Sequence, residues 1–255
     1  MKRKITEEYK KLSGGLEVIH KSSGAKNTFV LWDSEILKNS ILDYFKKEIR
    51  EIQQGEKQIN INTVVDWAFH YFEEYKTYMN FIIGTIVTKK LDKAWEAHEV
   101  QTSAAEKGYG PLMYDLALSQ CETITSDRSS VSSQAEGIWV YYFLKRKDVE
   151  KLPFDDIKNP KTPPVEDDAK LHSQFKAPLN YAYRVKNPIY NVSMLDQKSN
   201  QALQKLLLDL IDDIHEIIQS YPEYKDMSIK PYEKYQYLKT MLIDISEYYF
   251  AEKYG

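Results

Sequence analysis

The chain has 255 residues, of which 42% are hydrophobic, with a formal net charge of −3 at pH 7. That supplies a core for one large domain, or for a domain with an appendage, and the acidic balance argues against a nucleic-acid partner, which demands a basic surplus or stripe. The lone cysteine, Cys121, excludes an intrachain disulfide or multi-cysteine zinc site and suits a reducing compartment.

The N-terminal MKRKITEEYKK is charged and has no apolar centre, so it does not read as a signal peptide. LEVIH and NTFVLW, joined across SSG, predict a hairpin over residues 15–32. Asp33 is placed to cap a helix reaching residue 54, with Ile36, Leu37, Ile41, Tyr44, Phe45 and Ile52 near helical spacing and Gly55 as its stop. Asn62 and Thr63, followed by Asp66, resemble a capping box. They open an amphipathic helix whose stripe is Val65, Ala68, Phe69, Phe72, Tyr75 and Met79.

The β-branched run from Phe81 to Lys90 and the segment Trp95–Gln101 predict an antiparallel strand pair with Asp92 and Lys93 in its turn. A glycine loop follows, then a helix over 111–122 with Met113, Ala117 and Cys121 four residues apart. Ile124–Thr125 reads as a short strand, and Ser132 or Ser133 caps a helix to about Lys147. Residues 151–193 are rich in proline and charge and read as irregular, with NYAYRV as a strand within them. Two helices close the chain. One starts at Ser199 and carries Leu203, Leu206, Leu207, Leu210, Ile214, Ile217 and Ile218. The other starts at Pro231 and carries Tyr235, Leu238, Leu242, Ile245 and Tyr249. No apolar run approaches the ~18 residues a membrane span needs, so no membrane partner is expected and the expected location is cytoplasmic.

The glycine loop carries the most chemistry. The first N–H groups of a helix lack internal partners and sit at the positive end of its dipole, which makes a ready anion site. Gly108 and Gly110 would admit a phosphate close to the backbone, and Pro111 suits the first helical turn. The five histidines show no metal-ligand spacing, and Cys121 falls on the apolar stripe of its helix. No metal site is therefore expected.

Val100 on a strand, then Gly108 and Gly110 opening a helix, resembles the acetyl-CoA-binding core of the GNAT acetyltransferase superfamily. FIIGTIV resembles its preceding core strand, and SVSSQAEGIWVYYF, with Ala135, its following helix. The stretch KGYGPLMYD, then SDRSSVS and Trp139, more narrowly resembles GNAT-like proteins encoded by tailed phages. The resemblance covers about residues 75–150. It implies an α/β (α+β) fold with a mixed, mostly antiparallel sheet flanked by helices. The GNAT-like domain would span 1–193 and a C-terminal helical hairpin appendage 194–255.

The implied function is transfer of an acetyl group from acetyl-CoA to an amine of a protein or small molecule. Val100 would lie beside the pantetheine arm, and Lys107, Gly108, Tyr109, Gly110 and Leu112 would contact the pyrophosphate. Glu99, His98 and Tyr142 are the candidate catalytic residues. The chain departs from the family at Ala105, where an Arg or Gln is usual, at Pro111, which lacks an amide hydrogen, and at Trp139, where many members carry an acid tyrosine. These departures keep a second reading open: a degenerate GNAT-like binding protein, or a phage virion-associated one, acting through protein contacts of the C-terminal helices in the host cytoplasm or the virion.

Overall fold

In the computed structural model the described residues are 15–55, 63–66, 80–91, 97–127, 130–153, 177–219 and 229–253, with 245–253 described by backbone alone. Strands β1 (Leu16–Ser23) and β2 (Lys26–Asp33) form the expected hairpin, and Gly24 turns it at φ +59°. Asp33 then caps helix α1 (Ser34–Gln53), its carboxylate accepting the Ile36 N–H at 3.0 Å. Of the stripe read from the sequence, Leu37, Ile41 and Phe45 are buried and Ile36, Tyr44 and Ile52 half-buried, while Leu42 and Ile49 complete the hidden face of α1. Of the helix expected from Thr63, residues 63–66 are helical and Val65 is buried. Ala68, Phe69, Phe72, Tyr75 and Met79 lie outside the described residues.

Strand β3 (Ile82–Lys90) pairs antiparallel with β4 (His98–Ala105). Helix α2 (Gly110–Cys121) carries the chain over to β5 (Thr123–Ser126), which runs parallel to β4; a parallel neighbour requires such a crossover. Helix α3 (Ser133–Lys145) is capped by Ser132, whose Oγ accepts the Ala135 N–H. Strand β6 (Val149–Pro153), a short 3-10 turn (Ala177–Asn180) and strand β7 (Tyr181–Val185) follow, and β7 inserts between β5 and β6. The result is a seven-stranded mixed sheet in the order β1-β2-β3-β4-β5-β7-β6, antiparallel at β3–β4, β5–β7 and β6–β7. The α+β class with a mostly antiparallel sheet is therefore present. Helices α4 (Val192–Gln219) and α5 (Pro231–Lys253) close the described chain, and no helix among the described residues is long and apolar enough to cross a membrane.

Three elements differ from their sequence expectation. Strand β4 extends four residues further, to Ala105, because Thr102–Ala105 pair with Gly84–Val87 of β3; pairing with an apolar neighbour overrides weak intrinsic preference. Residues 149–153, which overlap the start of the segment 151–193 read as irregular, form strand β6 against β7. Helix α4 begins at Val192 and not at Ser199, since Asn191 caps it by accepting the Met194 N–H at 3.0 Å. Ser199 is instead buried inside the helix and accepts the Trp32 indole N–H at 3.0 Å.

The chain divides into two compact units. One comprises Met1–Val18, Trp32–Ile83 and Gln197–Gly255. Within it Leu203, Leu207, Leu210, Ile214, Leu238 and Leu242 are buried, Lys38 pairs with Asp213 at 2.8 Å, and the Tyr235 hydroxyl donates to Asn200 at 3.0 Å. The other comprises Ile19–Leu31 and Gly84–Asp196 and holds most of the sheet with α2 and α3. In it Asp196 accepts the N–H of His20 on edge strand β1 at 2.8 Å, which occupies a main-chain donor that an open edge would expose. Ser119 accepts the N–H groups of Ile189 and Tyr190 at 3.1 and 3.0 Å, fixing the chain after β7 to α2.

Candidate active site: the open edge of β4 and the glycine turn

The parallel ladder between β4 and β5 consists of three rungs, His98–Ile124, Glu99–Thr125 and Val100–Ser126. Strand β5 stops there while β4 continues to Ala105. Thr102–Ala105 are paired with β3 on one side, and the other side of Gln101–Ala105 has no strand among the described residues. Such an edge offers main-chain N–H and C=O groups to any extended partner. The β3–β4 register shifts at the end of this ladder: Thr88 pairs with Val100 and Val87 with Thr102, leaving Gln101 as a bulge. A bulge bends its strand and re-aims side chains, which suits the rim of a site.

Glu99 and His98 flank the point of divergence. Both are half-buried. The Gln101 side-chain amide donates to Glu99 Oε1 at 3.2 Å, so the bulge residue holds one carboxylate oxygen. His98 Nδ1 is buried and has no hydrogen-bond partner among the described residues. Burial first, and then the charge of Lys90, lower the His98 pKa below its ordinary value, which favours the neutral imidazole.

At the far end of the open edge, Gly108 makes the turn at φ +95°, a conformation side chains rarely adopt. Tyr109 stands at the helix cap position without a side-chain cap bond, and its N–H is used within the turn, donating to the Glu106 carbonyl at 3.0 Å. The first turn of α2 carries no acidic side chain. Lys107 and Gly108 are exposed, Tyr109 and Gly110 half-buried, and Val100 and Leu112 buried. Gly110 also has a packing reason to be glycine: a Cβ there would meet Ile138 Cδ1 at 2.9 Å. Ala105 likewise belongs to a tight contact, since a Cβ on Gly84 would stand 3.0 Å from its Cβ and 3.1 Å from Met113 Sδ.

Helix α3 contributes packing. Trp139 is 1% exposed, stacked on Tyr183 at 5.2 Å and edge-on to Tyr114 at 5.1 Å. Tyr142 is fully buried, and its hydroxyl donates to Asp115 of α2. Burial, then the Asp115 charge, push its phenol well above the ordinary pKa. Arg146 completes the cluster, with Nη1 2.6 Å from Asp115 Oδ1, Nη2 2.8 Å from Asp148 Oδ2 and its guanidinium 4.9 Å from the centre of the Tyr142 ring. Tyr142 is thus committed to a lock between α2 and α3.

Sequence reasoning passed over three of these features: the Gln101 bulge, the Asp115 lock and the Ser103–Tyr114 hydroxyl pair at 2.8 Å. Asp115 had a legible signal, a lone carboxylate in the apolar run PLMYDLAL. Cys121, on the apolar stripe of α2, contacts Thr88 Oγ1 at 3.4 Å, and burial pushes its thiol up to about 11. Comparison of the chain with protein families, curated proteins and solved structures yields no match.

Proposed function

We propose that the chain is a GNAT-like N-acyltransferase, moving an acetyl group from acetyl-CoA to an amine of a protein or small molecule. One observation carries the reading: a parallel strand pair that opens beyond Val100, with a glycine turn and an uncapped helix N-terminus at the far end of the open edge. The edge suits an extended, amide-bearing arm, and the turn suits a phosphate. An anion site alone would fit many ligands; its succession to an open edge favours one that is long and anionic at one end.

Acetyl-CoA supplies the activated thioester. In this reading the remaining work falls to the chain. Main-chain groups of Gln101–Ala105 bind the pantetheine arm beside Val100. The N–H groups of Gly110 and Leu112 face the pyrophosphate, Gly108 lets the backbone approach it, and Lys107 adds positive charge. Tyr109 contributes its side chain, because its N–H is spent in the turn. Glu99, steadied by Gln101, takes a proton from the attacking amine, whose nitrogen bonds the acetyl carbon as the bond to sulfur breaks, and the departing CoA thiolate takes its proton from water. His98, favoured as the neutral imidazole and one residue earlier, is the alternative base, since strand alternation turns only one of the two toward the substrate.

Trp139 and Tyr142 favour a second reading. An indole cannot protonate a departing thiolate, and the Tyr142 hydroxyl is bonded to Asp115 in the core. A GNAT-like protein that binds acetyl-CoA without transfer, acting through partners of α4 and α5 in a phage virion or host cytoplasm, fits these two residues. Release of free thiol from acetyl-CoA, measured over a panel of amines, separates the readings. The enzyme releases thiol and loses most of that release in Glu99→Gln, whereas the binding protein releases none.

A further inference from the structure

Ser103 lies in the middle of the open edge, three residues past the last rung to β5. Its hydroxyl is 2.8 Å from that of Tyr114 on α2. Tyr114 is 1% exposed and packs edge-on to Trp139. A phenol among apolar side chains is costly unless it is hydrogen-bonded. Among the described residues Ser103 is its one hydrogen-bond partner.

Ser103 itself is only half-buried. A serine hydroxyl has one donor and two acceptor sites, and a single phenol cannot fill all three. Tyr114 therefore fixes the Ser103 hydroxyl while leaving it hydrogen-bonding capacity for a further partner. Every other polar group on this edge is main chain, apart from the exposed side chains of Gln101 and Thr102. Gln101 is already engaged with Glu99. The five residues Gln101–Ala105 span about 16 Å at strand rise, so Ser103 stands opposite the middle of a bound arm, away from both its thioester and its phosphates.

We propose that Ser103, positioned by Tyr114, hydrogen-bonds an amide of a pantetheine arm lying along β4 and so favours arm-bearing ligands over the bare nucleotide. The inference rests on the GNAT-like reading above. It is tested by titrating the full chain and its variants with CoA and with the nucleotide half of CoA that lacks the arm. Loss of one neutral hydrogen bond predicts that Ser103→Ala weakens CoA about three- to tenfold. Tyr114→Phe should weaken CoA in the same direction, and Ser103→Thr should largely restore it. None of the three should change affinity for the nucleotide half. If the unaltered chain binds CoA and Ser103→Ala leaves that affinity unchanged, or weakens both ligands equally, the inference is overturned and the reading stands. If the unaltered chain binds neither ligand, the reading falls and the inference with it.

Discussion

Arg146 reaches from the end of α3 to place its guanidinium 2.6 Å from the carboxylate of Asp115, in the middle of α2. Both side chains are largely buried, at 10% and 3% exposure. Tyr142 donates to the same carboxylate from one turn earlier on α3. Helix α2 begins at the glycine turn, so this cluster fixes the helix whose N-terminus forms one end of the candidate site.

Removing Arg146 leaves the buried Asp115 carboxylate without its cation, and removing Asp115 leaves one arm of the Arg146 guanidinium unfilled while Asp148 holds the other. Arg146→Met or Asp115→Leu is expected to destabilise the chain by about 3 kcal/mol, the usual cost of breaking a buried pair. The double variant should lose less than the sum, because neither charge of the Asp115–Arg146 pair then remains buried alone. Urea unfolding of the four proteins checks this; additive losses would show that the two side chains are not coupled.

Tyr142→Phe should cost about 1.5–3 kcal/mol, as expected for a hydrogen bond to a charged group. In the proposed reading it leaves acetyl-CoA affinity unchanged within about twofold, since the hydroxyl faces Asp115 and not the open edge. A loss of affinity much beyond the stability effect would return Tyr142 to the site.

The two loop glycines should respond differently. Gly108→Ala is strained by φ +95° whatever the surrounding space, at about 1 kcal/mol or more. Gly110→Ala meets only the tip of Ile138, a flexible side chain, so its cost should be modest and should shrink when Ile138 is cut to Val. Thermal unfolding of the single and double variants separates conformational from steric demand.

Asp148 gives a pH signature. Hydrogen bonding by Arg146 holds its carboxyl below the ordinary range. A carboxylate depressed by folding adds stability at neutral pH, and that contribution is lost as pH falls from the ordinary value of about 3.9 through its lower folded pKa. Asp148→Asn should therefore lower stability at pH 7 and lose less on acidification than the unaltered chain. Equal acid sensitivity of both proteins would contradict the pairing.

Cys121 offers a reporter. Its thiol is pushed up to about 11 by burial, and it is the one cysteine in the chain. Thiolate is the reactive form, so a disulfide reagent at pH 8 should label the native protein slowly and the urea-unfolded protein fast.

Much of this architecture was legible because local chemistry and tertiary demand agree. The α1 stripe with its Asp33 cap, the Ser132 cap and the β-branched run of β3 each form where the sequence predicts. The misreadings fall where long-range pairing decides. Thr102–Ala105 have little strand character of their own and become β4 by pairing with β3. Val149–Pro153, with a proline and two charges, becomes strand only beside β7. At the site, Gly108 announced its turn, but the use of the Tyr109 N–H and the filling of the Gly110 side by Ile138 depend on residues no local pattern names. Ser103 and Tyr114 are eleven residues apart with a turn between them, so their hydrogen bond exists only once β4 and α2 are folded together.

The central claim is that the open edge and the glycine turn bind a CoA thioester. Isothermal titration of the chain with acetyl-CoA tests it directly, with Gly108→Val, bulky at the φ +95° turn, as the comparison. The account predicts saturable binding to the unaltered chain and its loss in the folded variant. No heat of binding at millimolar acetyl-CoA, or equal binding by both proteins, would contradict it.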